Sequence, residues 1–258
     1  MLPETEFEAL TDALIGRVKF LYFHLMGEPL LHPLLPRFIN RAKEKGFLSM
    51  LTTNGSLLSE RGEELMSCLP HKISISLHAP AANAAFADPS YFDSCISFSK
   101  RAASAGCIVA LRLWNIGGAG EAENDRILAR LRLAFPGEWL PSVRESTRLG
   151  TDRIYLEWGE EFDWPDPSAP AIASDDELFC YGLRNQIGIL VDGTVVPCCL
   201  DADGNLPLGN LLEMPLDKIL ESPLARDIYD GFTERRARRE LCRRCGYARR
   251  FRNQPKSE

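Results

Sequence analysis

The stretch KISISLHA, residues 72–79, alternates apolar and polar side chains and is the most informative part of the sequence about the fold. In an extended chain its aliphatic side chains point to one side, whereas Ser74, Ser76 and His78 point to the other. CIVALRLWN, residues 107–115, repeats this alternation with Arg112 on its polar side. An open sheet covered by helices on both faces has no place for such polar rows, whereas a barrel or half-barrel can hold a ligand inside. The two strands therefore predict a partial barrel.

The segments around these strands alternate between strand-like and helix-like patterns over the first 160 residues. Regular alternation of this kind predicts a parallel sheet wrapped by helices, and hence an α/β fold with a partial TIM-like barrel. Strands are predicted over 18–26, 47–55, 71–79, 107–115 and 153–162, and helices over 3–16, 34–46, 59–68, 91–106 and 123–135.

The last third of the chain has a different organisation. Residues 162–178 are rich in Pro, Asp, Ser and Ala without periodicity, which predicts a linker. A hairpin around Asp192-Gly193, a helix over 215–232 and a Cys-x-x-Cys turn follow. The predicted domains are a barrel at 1–161, a linker at 162–178, a small domain at 179–252 and a tail at 253–258.

The strand predicted over 18–26 has no preceding strand in the sequence. A strand edge as apolar as this one is a template for association. Two alternatives therefore remain: a later strand pairs with it, or a segment is missing at the front. If the chain is a non-catalytic binding protein, a protein partner is expected to cover the open barrel edge.

Composition and charge indicate an ordinary globular protein. The 258 residues are 45% hydrophobic with a formal net charge of −6, enough for one large domain and one small domain. No apolar run approaches the roughly 18 residues of a membrane span, and the start MLPETEFEALTD is acidic where a signal peptide is basic. We therefore expect a cytoplasmic protein whose eight cysteines are thiols or metal ligands.

Cysteines are concentrated toward the C-terminus. A Cys-x-x-Cys turn followed by glycine brings two sulfurs onto one metal, and a cysteine at a hairpin end is the usual complement. Because adjacent residues of a strand face opposite ways, only one of Cys198 and Cys199 is expected to be a ligand. Spacing alone leaves open a structural zinc site or a 4Fe-4S cluster, since both use four thiolates. The five cysteines concerned are Cys180, Cys198, Cys199, Cys242 and Cys245, and core positions are expected for Cys68, Cys95 and Cys107.

Residues 231–258 carry ten Lys/Arg and three Asp/Glu, a local net charge of +7. One interpretation is a nucleic-acid patch with Tyr247 and Phe251 for base stacking. The other is a solvated helix face whose guanidiniums offset the negative charge of a thiolate-bound metal centre. The second interpretation is favoured, so nucleic acid is not expected as a partner.

Further motifs join these features into one pattern: GEPLLHP at 27–33, TTNG at 52–55 and VDGTVVPCCLDADGNLPLGNL at 191–211. With the two polar rows, they make the chain resemble the radical SAM superfamily, and more narrowly its members with a SPASM or twitch auxiliary-cluster domain. The resemblance extends from about residue 15 to residue 252. It implies S-adenosylmethionine and an iron–sulfur cluster as cofactors, and oxidoreductase chemistry.

The resemblance implies a role for the turn Gly27-Glu28-Pro29. In the family a GGEP motif meets the amino group of S-adenosylmethionine; here Met26 replaces its first glycine. The strand before the turn would be a strand of the barrel, and the turn at its carboxyl end would present backbone carbonyls and a carboxylate to the ligand. His24 and His32, on either side of the turn, are expected to be packing or capping residues.

Ser76 and Arg112 are also assigned by the resemblance. Ser76 would contact the ribose and Arg112 the methionyl carboxylate, which suits the high cost of a buried unpaired charge. The alternative for Arg112 is an ion pair with Glu157 or Glu28. The predicted cofactor-binding residues are Gly27, Glu28, Pro29, Asn54, Ser76 and Arg112.

A single auxiliary 4Fe-4S cluster on Cys180, Cys198, Cys242 and Cys245 is implied as well, with zinc as the alternative. Family members hold a catalytic cluster on a CxxxCxxC loop after the first strand, and this sequence has no such triplet. We therefore expect an N-terminally shortened chain that is inactive alone. Its complete form would generate a 5'-deoxyadenosyl radical and abstract hydrogen from a peptide or small molecule. The alternatives are a non-catalytic protein that keeps the auxiliary metal site, and a zinc-stabilised RNA-binding protein.

Overall fold

The computed structural model describes residues 1–24, 26–78, 90–142, 146–150, 153–170 and 178–251. The chain divides into two compact units, which we call the sheet unit (Ile15–Glu161) and the cysteine unit (Met1–Leu14 with Phe162–Glu258). The first helix, α1 (Glu4–Asp12), groups with the cysteine unit, whereas the sequence placed it with the barrel. Part of the predicted linker, 171–177, and the predicted tail, 253–258, lie outside the described residues.

The sheet unit is built on a seven-stranded sheet with the order β1-β2-β3-β4-β7-β6-β5. The neighbours among β1, β2, β3, β4 and β7 are parallel, and β6 and β5 extend the sheet with antiparallel pairing. The strands are β1 (Phe20–Phe23), β2 (Leu48–Thr53), β3 (Lys72–Ser76), β4 (Ile108–Ile116), β5 (Trp139–Pro141), β6 (Ser146–Leu149) and β7 (Ile154–Glu160).

Every strand and helix predicted for the first 160 residues is present, which confirms the α/β class. The helices between the strands are α2 (Leu35–Glu44), α3 (Leu58–Met66), α4 (Ser90–Ser104) and α5 (Asn124–Ala134). The sequence did not predict β5 and β6, because they are three and four residues long and Gly137 and Pro141 interrupt any alternating pattern.

One face of the sheet packs against the helices. Alternate residues of the central strands, such as Ile73, Ile75 and Leu111, are fully buried there in one hydrophobic core. Helix α2 shows how the sequence produces this packing: Leu35, Phe38, Ile39 and Ala42 recur at helical spacing and are all buried. Gly46, with a φ of 88°, ends α2 in the left-handed region that favours glycine.

The other face carries the polar rows. In register across the sheet, Ser76 lies beside Arg112 and Arg112 beside Glu157, while Lys72 and Tyr22 both lie in register with Met50. Side chains at neighbouring register positions of a sheet point to the same side. We call the side of the sheet formed by Tyr22, Lys72, Ser76, Arg112 and Glu157 the polar face.

Strand β1 lies at the end of the sheet. It pairs with β2 in parallel, and no strand among the described residues pairs with its other edge. Phe20 and Tyr22 on this strand are 42% and 54% exposed. The apolar edge that the sequence predicted is therefore present in the described part of the chain.

The cysteine unit combines a small sheet with short helices. Strands β8 (Gly188–Ile189), β9 (Thr194–Val196) and β10 (Gly209–Asn210) are antiparallel in the order β10-β9-β8. The single helix predicted over 215–232 is two helices, α6 (Leu216–Leu220) and α7 (Pro223–Thr233). The break follows from Ser222, which caps α7 by accepting from the amide of Ala225 at 3.2 Å, and from the proline after it. Helix α8 (Glu240–Arg243) carries the first cysteine of the Cys-x-x-Cys turn. Across the described residues, no helix is long and apolar enough to cross a membrane.

Candidate metal centre and cofactor-binding face

The Gly27-Glu28-Pro29 turn is held by the carboxylate of Glu28. One oxygen accepts from the amide of Leu30 at 3.0 Å and from the hydroxyl of Thr53 at 2.7 Å, and the other accepts from the amide of Asn54 at 2.7 Å. Gly27 has a φ of 83°, which allows the chain to turn there. The carboxylate expected to face a ligand ammonium therefore joins the carboxyl ends of β1 and β2.

The TTNG turn after β2 is fixed from several directions. The side-chain oxygen of Asn54 accepts from the amide of Ser56 at 2.9 Å, and the hydroxyl of Tyr91 donates to the carbonyl of Asn54 at 2.7 Å. A Cβ on Gly55 would lie 2.8 Å from the sulfur of Cys95, and its φ is 78°. The side chain of Asn54, predicted to bind cofactor, thus stabilises its own turn.

Arg112 forms an ion pair with Glu157, which is the alternative that the sequence offered to a contact with a ligand carboxylate. Its Nε donates to Glu157 at 3.0 Å, and Lys72 Nζ donates to the other carboxylate oxygen at 2.6 Å. The guanidinium also lies over the ring of Trp114, 4.6 Å from the centroid. Burial alone would raise the pKa of Glu157, but Arg112 and Lys72 hold it below the usual value. Two cations therefore share one carboxylate, which leaves one net positive charge on the polar face.

Lys72 was not singled out from the sequence. The sequence does place Lys72 on the same side of the strand as Ser74 and Ser76, since all three have the same parity. Ser76 itself is half-buried beside Arg112, where the sequence placed it.

His78 lies past the end of β3. Its Nδ1 lies 3.2 Å from the amide nitrogen of Trp114 and 3.1 Å from the carbonyl oxygen of Arg112. It accepts from the amide or donates to the carbonyl, according to which ring nitrogen carries the proton. Burial lowers the pKa of His78.

The two histidines beside the Gly-Glu-Pro turn differ in role. His32 accepts from the amide of Leu34 at 3.1 Å and packs against Phe38, so it is a capping and packing residue as expected. His24 has a buried Nδ1 with no hydrogen-bond partner among the described residues, and its ring meets the edge of Tyr22 at 5.4 Å. Burial, with a smaller contribution from Arg112, lowers its pKa to about 4.

In the cysteine unit, three of the predicted ligands are near enough to the fourth, Cys242, for their charges to act on its thiol. Burial raises the pKa of the Cys242 thiol well above its ordinary value, and the charges of Cys198, Cys180 and Cys245 raise it further. Burial likewise raises the pKa of Cys180 to about 12 and of Cys245 to about 11. Within the described residues, no three His, Cys, Asp or Glu side chains are grouped as ligands of a single metal ion.

Cys199 is nearer to these thiols than strand alternation predicted. Strand β9 ends at Val196, so Cys198 and Cys199 lie in a bend where the alternation no longer applies. Burial raises the pKa of Cys199 to about 11, with added repulsion from Cys198 and Cys245. Cys68, Cys95 and Cys107 are 4%, 0% and 2% exposed and belong to the hydrophobic core, which confirms the position predicted for them.

Two contacts show how the chain supports this cluster of thiols. A Cβ on Gly246, which follows the Cys-x-x-Cys turn, would lie 2.8 Å from both the amide nitrogen and the carbonyl oxygen of Asp163, so only glycine fits there. Asp201 is 2% exposed, and its carboxylate accepts from the amides of Asn205 and Leu206, both at 2.8 Å. These contacts fix the two segments from which Cys245 and Cys198 extend.

The basic segment is engaged in internal pairs. Arg238 pairs with Asp227 at 2.9 Å, Arg243 with Glu240 at 2.8 Å, and Arg244 also contacts Glu240. The two candidate stacking rings pack on aromatic neighbours, with Tyr247 5.0 Å from Phe162 and Phe251 5.1 Å from Tyr181.

One part of the chain matches a known domain family. Residues 180–246 match the family model SPASM, described as an iron-sulfur cluster-binding domain. This range contains all four predicted ligand cysteines. No curated protein sequence matches the chain.

Solved structures share the fold. BtrN in complex with AdoMet and 2-DOIA is 18% identical with a TM-score of 0.55, over 95% of this chain and 80% of that one. The anSMEcpe structure with AdoMet and the Kp18Cys peptide is 13% identical with a TM-score of 0.57, over 100% and 84%. Streptococcus suis SuiB bound to S-adenosylmethionine is 15% identical with a TM-score of 0.56, over 88% and 60%.

The fold is therefore that of the radical SAM partial barrel followed by a SPASM region. This confirms the fold and the SPASM region that the resemblance implied.

Proposed function

We propose that the chain is an iron–sulfur protein of the radical SAM/SPASM type that binds S-adenosylmethionine on the sheet unit. The observation that carries this proposal is the SPASM match over 180–246, since it encloses four thiols, and the charges of the other three raise the pKa of Cys242. The cluster would be held by Cys180, Cys198, Cys242 and Cys245.

The thiols fit an iron–sulfur cluster by their chemistry. Buried thiolates without a metal are costly, so they need cations between them. Zinc–sulfur bonds of about 2.3 Å hold four sulfurs within about 4 Å of one another. A 4Fe-4S cluster is a larger body with iron and sulfide between its ligands, and it is the centre that we propose; zinc is the alternative.

The polar face fits S-adenosylmethionine through its surplus of positive charge. Arg112 and Lys72 share only Glu157, so the ligand's carboxylate would offset the remaining charge. Ser76 and Asn54 lie at strand ends, where barrel ligands bind, and with Gly27, Glu28 and Pro29 they complete the proposed set. The S-adenosylmethionine bound in the structures of BtrN, anSMEcpe and SuiB supports this choice.

When both are bound, S-adenosylmethionine and a reduced cluster with an open iron supply a 5'-deoxyadenosyl radical that takes hydrogen from a peptide or small-molecule substrate. The 258-residue sequence contains no CxxxCxxC triplet to hold such a cluster. We therefore propose that this chain alone does not form 5'-deoxyadenosine. Its own residues would bind and orient the ligand: Glu28 keeps the two turns together, and Arg112 holds the carboxylate.

A second candidate is a non-catalytic protein that keeps the auxiliary centre. Two observations favour it: Glu28 accepts three hydrogen bonds within the protein, and Arg112 has an internal counter-charge. In this case a partner that covers the apolar edge at Phe20 and Tyr22 would take the place of a substrate.

The test uses the whole chain, reconstituted anaerobically with iron and sulfide. Titration calorimetry with S-adenosylmethionine should show one binding site, and Arg112→Met should weaken it about tenfold. Arg130→Met, which removes an exposed pair with Asp93, is the matched control and should bind normally. Chromatography after addition of dithionite should show no 5'-deoxyadenosine. Absence of binding to the wild type would favour the second candidate, and product formation would refute the claim of inactivity.

A further inference from the structure

One nitrogen of His24 lacks a hydrogen-bond partner among the described residues, at the site where ligands of such sheets bind. His24 follows β1, at the carboxyl end of the strand, and its ring meets Tyr22 of the polar face. Its Nδ1 is buried and lacks a hydrogen-bond partner among the described residues. Buried polar atoms in native proteins are nearly always hydrogen-bonded, so an exception calls for a physical reason.

Protonation does not relieve the histidine. Burial and the nearby charge of Arg112 together hold its pKa at about 4, so the ring is neutral at physiological pH. The other ionic groups of the polar face, Lys72 and Glu157, are already paired with each other and with Arg112. Whether Nδ1 of the neutral ring carries a lone pair or a proton, no described residue forms a hydrogen bond with it.

The charges near His24 indicate which kind of ligand group would form a hydrogen bond with its Nδ1. An ammonium is disfavoured because Arg112 is close enough for its positive charge to act on the ring. A carboxylate is better placed at Arg112 and Lys72, where the surplus positive charge lies. A neutral O–H or N–H donor matches an imidazole lone pair in this environment.

We propose that Nδ1 of His24 accepts a hydrogen bond from a neutral donor of S-adenosylmethionine, either a ribose hydroxyl or the adenine amino group. This makes His24 a binding residue of the polar face, and it rests on the proposed function. The cost of the orphaned nitrogen in the free protein is then recovered when the ligand binds.

Two substitutions separate binding from packing. His24→Phe keeps a planar ring and removes Nδ1, whereas His24→Asn places an amide oxygen near the Nδ1 position. In the whole reconstituted chain, calorimetry should show S-adenosylmethionine binding at least about tenfold more weakly to the phenylalanine variant. The asparagine variant should recover most of the affinity. Without ligand, the phenylalanine variant should melt at a higher temperature than the wild type, because it buries no orphaned nitrogen.

His32→Phe is the matched control. It removes a histidine nitrogen that accepts from Leu34 at 3.1 Å, so it should lower the melting temperature and leave the affinity unchanged. Equal affinity of His24→Phe and the wild type would overturn the inference but not the proposed function. A melting temperature of His24→Phe at or below that of the wild type would also overturn it, since Nδ1 would then have a partner in the free protein. A wild-type chain that does not bind S-adenosylmethionine would overturn both.

Discussion

Replacement of Glu28 by glutamine tests whether this residue joins two strand ends. The wild-type carboxylate accepts from Leu30, Thr53 and Asn54. Glutamine keeps one oxygen, which can retain the bonds from Leu30 and Thr53. Its amide nitrogen then faces the amide of Asn54, so two donors oppose each other at a separation of 2.7 Å in the wild type.

The expected loss is one charge-assisted hydrogen bond and the satisfaction of one backbone donor. Because Glu28 is half-buried, we estimate a free energy of unfolding lower by about 2 kcal/mol. Urea unfolding followed by tryptophan fluorescence should show a midpoint lower by about 1 M with an unchanged slope. The signal reports mainly on the sheet unit, since Trp114, Trp139 and Trp158 lie in it.

Glu44→Gln is the matched control. Glu44 ends α2 and pairs with Arg41 on an exposed surface, so the same chemical change should cost less than about 0.5 kcal/mol. Equal unfolding midpoints for the two variants would refute the role that we assign to Glu28. A carboxylate reserved for a ligand ammonium would instead lose affinity for S-adenosylmethionine while leaving the urea midpoint unchanged.

Three further predictions follow from the packing and charges. Glu157→Gln should lower the free energy of unfolding by about 2 kcal/mol, because it leaves Arg112 and Lys72 without their carboxylate. In a double-mutant cycle, Lys72→Met added to Glu157→Gln should restore part of the lost stability, and strictly additive losses would contradict the shared ion pair. Gly246→Ala should lower the melting temperature of the cysteine unit, because the added Cβ would lie 2.8 Å from the backbone of Asp163. Circular dichroism measures this change, and an unchanged melting temperature would contradict the contact. His24 binds a proton more readily in the unfolded chain, near pH 6.5, than in the folded chain, near pH 4. Proton binding therefore favours the unfolded chain increasingly as pH falls through this window, and the wild type should lose more stability than His24→Phe between pH 7 and pH 4. Parallel stability curves for the two proteins would contradict this.

Much of the fold could be predicted because period and burial are local properties of the sequence. The alternation in β3 placed Ser76 on the side opposite Ile75, and the structure shows Ser76 in register with Arg112 there. Short edge strands such as β5 were not predictable, because three residues with a proline give no pattern.

The site was predicted less completely, because it depends on pairs that are distant in the sequence. Arg112 and Glu157 are 45 residues apart, and only the register of β4 with β7 brings them together. The orphaned nitrogen of His24 is likewise a property of its surroundings in the fold. For Cys198 and Cys199, the sequence rule assumed a strand that in fact ends at Val196.

The centre bound by the cysteine unit decides between an iron–sulfur protein and a zinc protein. Iron, sulfide and zinc analysis of the anaerobically reconstituted chain, together with its absorption spectrum, tests this directly. We predict about four irons and four sulfides per chain with a broad band near about 400 nm, all lost in a Cys242→Ser/Cys245→Ser variant. One zinc per chain and no visible absorption would contradict the proposed iron–sulfur centre.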